Sequence, residues 1–481
     1  MTREARPGSP RARPSDERPA AALPLDARDG LATISAANAH GAAGRLVHGS
    51  LPRTIATVAL PAVASMLLMT LFATVDAFWV GRQIGAEGLA AVSTSLFWIW
   101  QVVALAELVS VGLTAVAARR HGRGERAQAA RAVGDGLLLA LALGAVVAAL
   151  GLAMLPRLFS AMHAPPPVTA LGVRYLGTYL AGCPLIFGYF AVDAGFRASG
   201  DTRTPFVLLA TSVVIALVLD PVLILGLGPA PALGIAGAAL ATLLTRGAVF
   251  VAGVAVLARR GLITLRGRAG TAMPAIARIG LPTAATGVLF SVIYVVLTRT
   301  TTQFGTPALA ALGVGHRVES WAYMVGVGFG AAAAAIVGQN VGAGRTDRAE
   351  RAGWLTVGYA TAVGGVASVC MFVFATPLAA VFTDDPAVVR ESASYLRIAT
   401  LSTVFTGAEV VLEGALGGAG ATLPPMLTST ALTALRIPLA AWLAPRYGTA
   451  GIWWTISLTA VARGLAMMLL WRAGRWKGKS V

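Results

Sequence analysis

Two carboxylates stand where a bare charge is costly. Asp76 lies in LLMTLFATVDAFWVG and Asp220 in LLATSVVIALVLDPVLILG, apolar runs in which an ionised acid costs at least ~2.5 kcal/mol at the centre of a bilayer. Acids so placed mark proton or cation pathways by default. Each lies 15 residues beyond a proline, Asp76 after Pro61 and Asp220 after Pro205, which is roughly 22 Å of helical rise. On spans that start at the same face, the two reach similar depths. Two acids in one pocket titrate as a coupled pair, so this pair can exchange a proton or ligate Na+. The structural alternative is that a neighbouring arginine neutralises each acid, and Arg246 is the obvious candidate. Thr242, one turn from Ala238, can add a hydroxyl to the pair or simply bond its own helix backbone.

A second set has helical spacing. Tyr189 and Asp193 are four residues apart, as are Glu409 and Glu413, so each pair shares one helical face. Together they form a candidate second acidic or substrate patch. Arg436 and Arg463 are equally able to pair the two glutamates. Pro61 and its counterpart Pro282 can bend the spans that hold them. Glu107, His316, Arg317 and Glu319 also fall near or inside spans, and the last three can form a local ion network. There is no GxxxxGK[ST], HExxH, GxSxG or DxDxDG, so ATP hydrolysis, zinc or serine hydrolysis and EF-hand calcium binding have no support. Of the five histidines only His316 is near a span interior, which leaves little from which to build an enzyme.

The elements that must hold these residues are membrane helices. Over 481 residues, 56% are hydrophobic and 12% charged. Windows of about 19 residues predict twelve spans near 54–80, 89–118, 130–155, 168–198, 204–228, 232–257, 274–303, 307–341, 351–376, 388–417, 424–445 and 449–471. The runs are continuous and do not alternate, so the fold class is an all-α membrane protein and no barrel. Of 38 Lys and Arg, 27 fall in the N-terminal tail, the even-to-odd loops and the C-terminus. The positive-inside rule then makes both termini cytoplasmic. The net charge of +17 is spread over a membrane face with no reader motif, which excludes nucleic acid as a partner. Residues 1–50 have no apolar h-region and are expected to be a disordered basic tail. Cys183 and Cys370 lie in spans and are packing residues.

The chain also repeats itself. A shift of 220 residues lays Tyr175–Pro205 over Tyr395–Pro425, with Asp193 on Glu413 and Gly200 on Gly420. It also lays Gly122 and Gly124 on Gly342 and Gly344; near the ends of the halves the shift is 217 and Arg246 falls on Arg463. Six spans per half give both repeats the same orientation, related by a pseudo-twofold axis along the membrane normal. The expected organisation is a basic tail (1–50), an N-lobe (51–258), a cytoplasmic linker (259–273), a C-lobe (274–471) and a basic C-terminal tail (472–481), with the six-helix lobes around a central cleft.

Taken together, these pieces resemble the multidrug and toxic compound extrusion (MATE) family. The resemblance rests on LPAVASMLLMTLFATVDAFWVGRQIGAEGLAAVS, RASGDTRTP, LVLDPVLILG, GIAGAALAT and GAAAAAIVGQNVGAGRTDRAERA. It implies an antiporter of the bacterial inner membrane that exports cationic or amphiphilic small molecules in exchange for H+ or Na+. The family's N-lobe cation site carries over to Asp76, Asp220, the backbone carbonyl of Ala238, and Thr242. Where relatives often have Asn four residues before the second acid, this chain has Ala216, which removes an oxygen ligand and favours protons over Na+. The acids some relatives carry in the seventh and tenth helices are absent here, with Thr at 406; Glu409 and Glu413 are the nearest substitutes. No cofactor is implied, no metal beyond Na+ at Asp76 and Asp220, and a monomer suffices. The runner-up is a flippase for lipid-linked precursors from the same superfamily, with Arg299 and Arg436 as its candidate cavity lining.

Overall fold

In lipid, backbone groups must find their partners inside the segment that crosses, and a continuous apolar run does so only as a helix. The computed structural model describes residues 2, 44, 46–84, 86–160, 166–228, 231–265 and 270–479, without the side chains of 74–78, 81–83, 86, 89–90, 93 and 160. Among these the regular elements are α-helices and one 3₁₀ turn, with no strand. The N-terminal half holds α1 (Leu51–Ile84), α2 (Ala86–Gly122), α3 (Arg126–Ser160), α4 (Pro166–Ala181), α5 (Cys183–Ser199), α6 (Arg203–Leu225) and α7 (Ile235–Arg259). The C-terminal half holds α8 (Met273–Thr302), α9 (Thr306–Gly342), α10 (Thr346–Val373), α11 (Ala375–Ala380), α12 (Pro386–Gly418), α13 (Leu423–Ala434), α14 (Arg436–Tyr447) and α15 (Thr449–Arg472). Eleven spans are long and apolar enough to cross a membrane singly, and α4 with α5 makes a twelfth.

That fourth span, expected as one helix over 168–198, is bent by 51°. The bend falls at Gly182, where an added Cβ would lie 2.1 Å from the Leu243 side chain, and Pro184 follows in the first turn of α5. A proline ring collides with the carbonyl four residues back. The breaks before α11 and α14 likewise precede Pro377 and Pro438.

The halves meet through α1 against α9, α2 against α8, and α2 against α9. A shift of 220 residues turns the first contact into the second, so one interface is used twice about the pseudo-twofold axis. Glycine sets its closeness, as small residues do between membrane helices. A Cβ on Gly122 would lie 2.0 Å from the Gln339 carbonyl oxygen, and one on Gly342 would lie 2.1 Å from that of Arg119. Arg119 and Gln339 are themselves repeat equivalents. Arg119 Nη2 donates to Ala419 O at 2.7 Å, and Gln339 Nε2 donates to Ala198 O at 2.7 Å. All of this lies at the arginine-rich face, where the lobes are closed against each other.

Of the expected N-terminal tail, residues 1, 3–43 and 45 lie outside the described residues, while its last stretch is folded, as is a stretch of the C-terminal tail. Residues 46–50 dock on the C-terminal half: Leu46 and Val47 are buried, Asn340 donates to Leu46 O at 3.1 Å, Arg345 donates to Val47 O and Arg348 to Gly49 O. At the other end Trp476 stacks on Trp471 at 4.1 Å, and Lys477 bonds Glu350 at 2.6 Å. Apolar side chains too few to register in a hydropathy window anchor each segment, so residues 46–50 are folded where a disordered tail is expected. The linker is pinned as well. Asp135 on α3 accepts from the backbone N–H groups of Gly270 and Ala272, both at 2.8 Å. Asp135→Ala strands two donors at a site where Asp135 is 5% exposed, and should cost about 1–3 kcal/mol, read as a lower thermal midpoint of tryptophan fluorescence in detergent.

Candidate functional site

Helices α1, α6 and α7 pack side by side, and their register sets positions 76 and 220 relative to each other. Phe72 of α1 packs with Leu209, Val213 and Ala216 of α6. Two turns on, Val80 packs in one cluster with Ile224 of α6 and Ala238 and Ala239 of α7. Positions 72, 76 and 80 share one face of α1, and 216, 220 and 224 share one face of α6, so position 76 stands level with position 220. Asp220 is fully buried; the Asp76 side chain lies outside the described residues. Ala238 is buried and Thr242 half-buried on α7. Helices α6 and α7 approach closely, since a Cβ on Gly237 would lie 2.5 Å from the Leu223 carbonyl oxygen. Arg246, one turn past Thr242, lies with its guanidinium carbon 4.6 Å from the centroid of the Tyr189 ring.

The second set gains one cation from its own helix and one from a helix distant in the chain. Asp193 pairs with Arg197 at 3.1 Å, and Arg197 donates to the Ser110 hydroxyl of α2 at 2.6 Å. Glu107, one turn earlier on α2, lies within electrostatic reach of both Asp193 and Arg197. In the C-terminal half Arg463 of α15 pairs with Glu409 of α12 at 3.0 Å, and Ser429 donates to the same carboxylate at 3.1 Å. Glu413 lies beside Glu409. Tyr323 of α9 is within reach of Glu413, Glu409 and Glu107, so the polar sets of the two lobes meet in the cleft. The repeat gives this a simple form. Arg246 and Arg463 are equivalents, as are Tyr189 and Glu409; one lobe sets its arginine over an aromatic ring and the other against a carboxylate.

Removing one member of such a pair leaves the other charge in the bilayer interior. Arg463→Met should therefore destabilise by about 3–5 kcal/mol, and adding Glu409→Gln should restore most of the loss. Thermal unfolding of the single and double variants reads both.

Pro61 does not break α1, which runs unbroken over its 34 residues; the Ser65 hydroxyl one turn later donates to the Pro61 carbonyl at 2.9 Å. Thr286 does the same for Pro282 at 3.0 Å. A third cluster holds two members of the expected ion network, His316 and Glu319, with Tyr395. Glu319 accepts from the Tyr395 hydroxyl at 2.6 Å and lies 3.7 Å from His316 Nδ1. Arg436, 4% exposed, donates to the Thr459 hydroxyl at 2.9 Å and lies 5.9 Å from the Phe290 ring. The signal for these groups is simply that each is a charged or imidazole residue inside an apolar run. Among the described residues no group of three His, Cys, Asp or Glu side chains could hold a metal ion.

The model of the MatE family matches residues 61–222 and 282–442, one stretch in each half. A protein of Shewanella oneidensis described as an FAD transporter is 28% identical over 433 residues, covering 88% of this chain and 95% of the relative. A probable multidrug resistance protein NorM of Deinococcus radiodurans is 30% identical over 436 residues, covering 86% and 94%. The solved structure of a MOP superfamily transporter from Pyrococcus furiosus superposes with a TM-score of 0.83 at 23% identity, covering 91% of this chain and 98% of that one.

Proposed function

The chain belongs to the MatE family, a multi-pass membrane transporter and not an enzyme, and from that premise we propose that it exports cationic or amphiphilic small molecules in exchange for H+, with Na+ the alternative coupling ion. The observation that carries this reading is the level placement of positions 76 and 220 on facing helices, with Asp220 fully buried. In this reading Asp76, Asp220, Thr242 and the Ala238 carbonyl form the coupling site, and Asp193, Tyr189, Glu409 and Glu413 line the path of the cargo. Ala216 at the register of Phe72 offers no side-chain oxygen, which is why protons are preferred. The N-lobe and C-lobe rock about the site, both termini face the cytoplasm of a bacterial inner membrane, one chain is the transporting unit, and no cofactor takes part. One proton moving down about 100 mV supplies ~2.3 kcal/mol, enough for a gradient of roughly 50-fold of an electroneutral load.

The test is ethidium uptake into everted vesicles energised in turn with a proton and a Na+ gradient. Proton-driven uptake supports the reading; uptake under neither gradient, with the protein present in the membrane, turns it toward flipping of lipid-linked precursors. A second cargo has its own support. Arg436 presents a buried guanidinium beside the Phe290 ring, a pairing suited to an aromatic anion, and one relative is described as an FAD transporter. FAD uptake in the same vesicles, weakened in Arg436→Gln, would favour that cargo over a cationic one.

A further inference from the structure

The closed, arginine-rich face carries a cavity that the transport reading does not use. It has a volume of about 790 Å3 and lies where α2 crosses α9, lined from both lobes. The N-lobe supplies His121, Arg123 and Arg126 around Gly124; the C-lobe supplies Arg345 beside Gly344. The docked N-terminal segment adds His48. Three guanidinium groups and two imidazoles thus face one space, and among the described residues no carboxylate lines it. The nearest acids in sequence are Glu125 and Asp347, and Asp347, 91% exposed by its side chain, is drawn toward Lys477 at 3.9 Å. Among the described residues neither Arg123, Arg126 nor Arg345 takes part in an ion pair.

The loops are built to bring these charges together. Gly124 and Gly344, repeat equivalents, both hold positive φ, 78° and 73°, where a side chain would be strained. Each turns the chain back within two residues of a helix end, so α3 begins at Arg126 and lines the cavity with its first residue. Arg345 is also aimed, since its Nη1 meets the Val47 carbonyl and lies 3.2 Å from His48 Nδ1. Like charges gathered in a concave space repel one another and gain from a bound counter-charge, a gain that salt screens at this exposed face.

We propose that this cavity binds a phosphate-bearing anion on the arginine-rich face, either a soluble polyphosphate or the headgroup of an anionic lipid. Because its basic groups come from both lobes, the bound anion ties the lobes together in the closed arrangement described above. A ligand that binds only one arrangement shifts the population toward it.

The test titrates inorganic triphosphate, and separately phosphatidylglycerol in mixed micelles, into the full-length chain by calorimetry. Arg123→Gln with Arg126→Gln is the variant; both side chains are exposed and among the described residues neither forms an ion pair, and an unchanged thermal midpoint checks the fold. The expected result is saturable binding that weakens about tenfold or more in the variant and weakens with added salt. Triphosphate binding with that dependence identifies a soluble anion, and phosphatidylglycerol binding with it identifies a lipid headgroup. Binding of neither, or binding equal in wild type and variant, overturns the proposal, and neither result bears on ethidium transport.

Discussion

Everted vesicles carrying Asp220→Asn are expected to lose proton-driven ethidium accumulation and to fall to the level of empty vesicles. Asn has nearly the shape of Asp and keeps a carbonyl acceptor, so packing between α6, α1 and α7 is preserved. What it lacks is a titrating group. At a fully buried position a neutral amide is also easier to hold than a carboxylate, so the variant should reach the membrane at wild-type levels and unfold at the same temperature or higher. Downhill exchange of labelled ethidium, which needs no coupling, should persist. Asp76→Asn is expected to behave alike, because its position stands level with Asp220. Gradient-driven uptake that survives in Asp220→Asn would remove the pair from the mechanism.

The second large effect concerns closure of the lobes. Gly122→Ala with Gly342→Ala places two methyl groups at 2.0 and 2.1 Å from backbone carbonyl oxygens of the facing helix. Neither backbone can yield without parting α2 from α9. Overpacking of this kind costs about 1–3 kcal/mol per site, so the closed arrangement should lose about 2–6 kcal/mol against any in which the helices separate. Transport that requires closure at this face should stop. Spin labels placed on the arginine-rich ends of α3 and α10 should report a longer separation than in the wild type. Gly358→Ala is the control: a Cβ there meets nothing within 4 Å, and alanine is the better helix former by about 1 kcal/mol. An unchanged distance in the double variant would show that the crossing tolerates the extra atoms and that glycine there has no role in closure.

Much of the molecule is legible in its amino-acid sequence, for identifiable reasons. Membrane spans are long, and their backbones have a single way to close hydrogen bonds; a hydropathy window therefore finds all twelve, though not the breaks within them. The fourth span is found but not its bend, since a window averages over Gly182 and Pro184 without sensing that Leu243, some sixty residues later, fills the missing Cβ. Spacing also reaches the level placement of Asp76 and Asp220, because equal distances from two prolines on parallel helices are equal depths. The Asp193–Arg197 pair is four residues apart and readable on one helix. Glu409 with Arg463 is not, being one of several possible pairings between α12 and α15. Docking of Leu46 and Trp476 escapes composition for another reason: one or two buried apolar side chains outweigh little in a polar segment.

Residue order suffices for the fold class, the duplication, the orientation expected from the charges and the acids that a bilayer makes costly, because each of these is a property of one helix or of a sum over loops. Folding in three dimensions settles the rest: which charges neutralise one another, that Arg246 meets an aromatic ring where Arg463 meets a carboxylate, and that the lobes close on reciprocal glycines. It also gathers Arg123, Arg126 and Arg345 around one cavity. Those facts depend on contacts between helices far apart in the chain, and such contacts are set by packing, which no local pattern encodes.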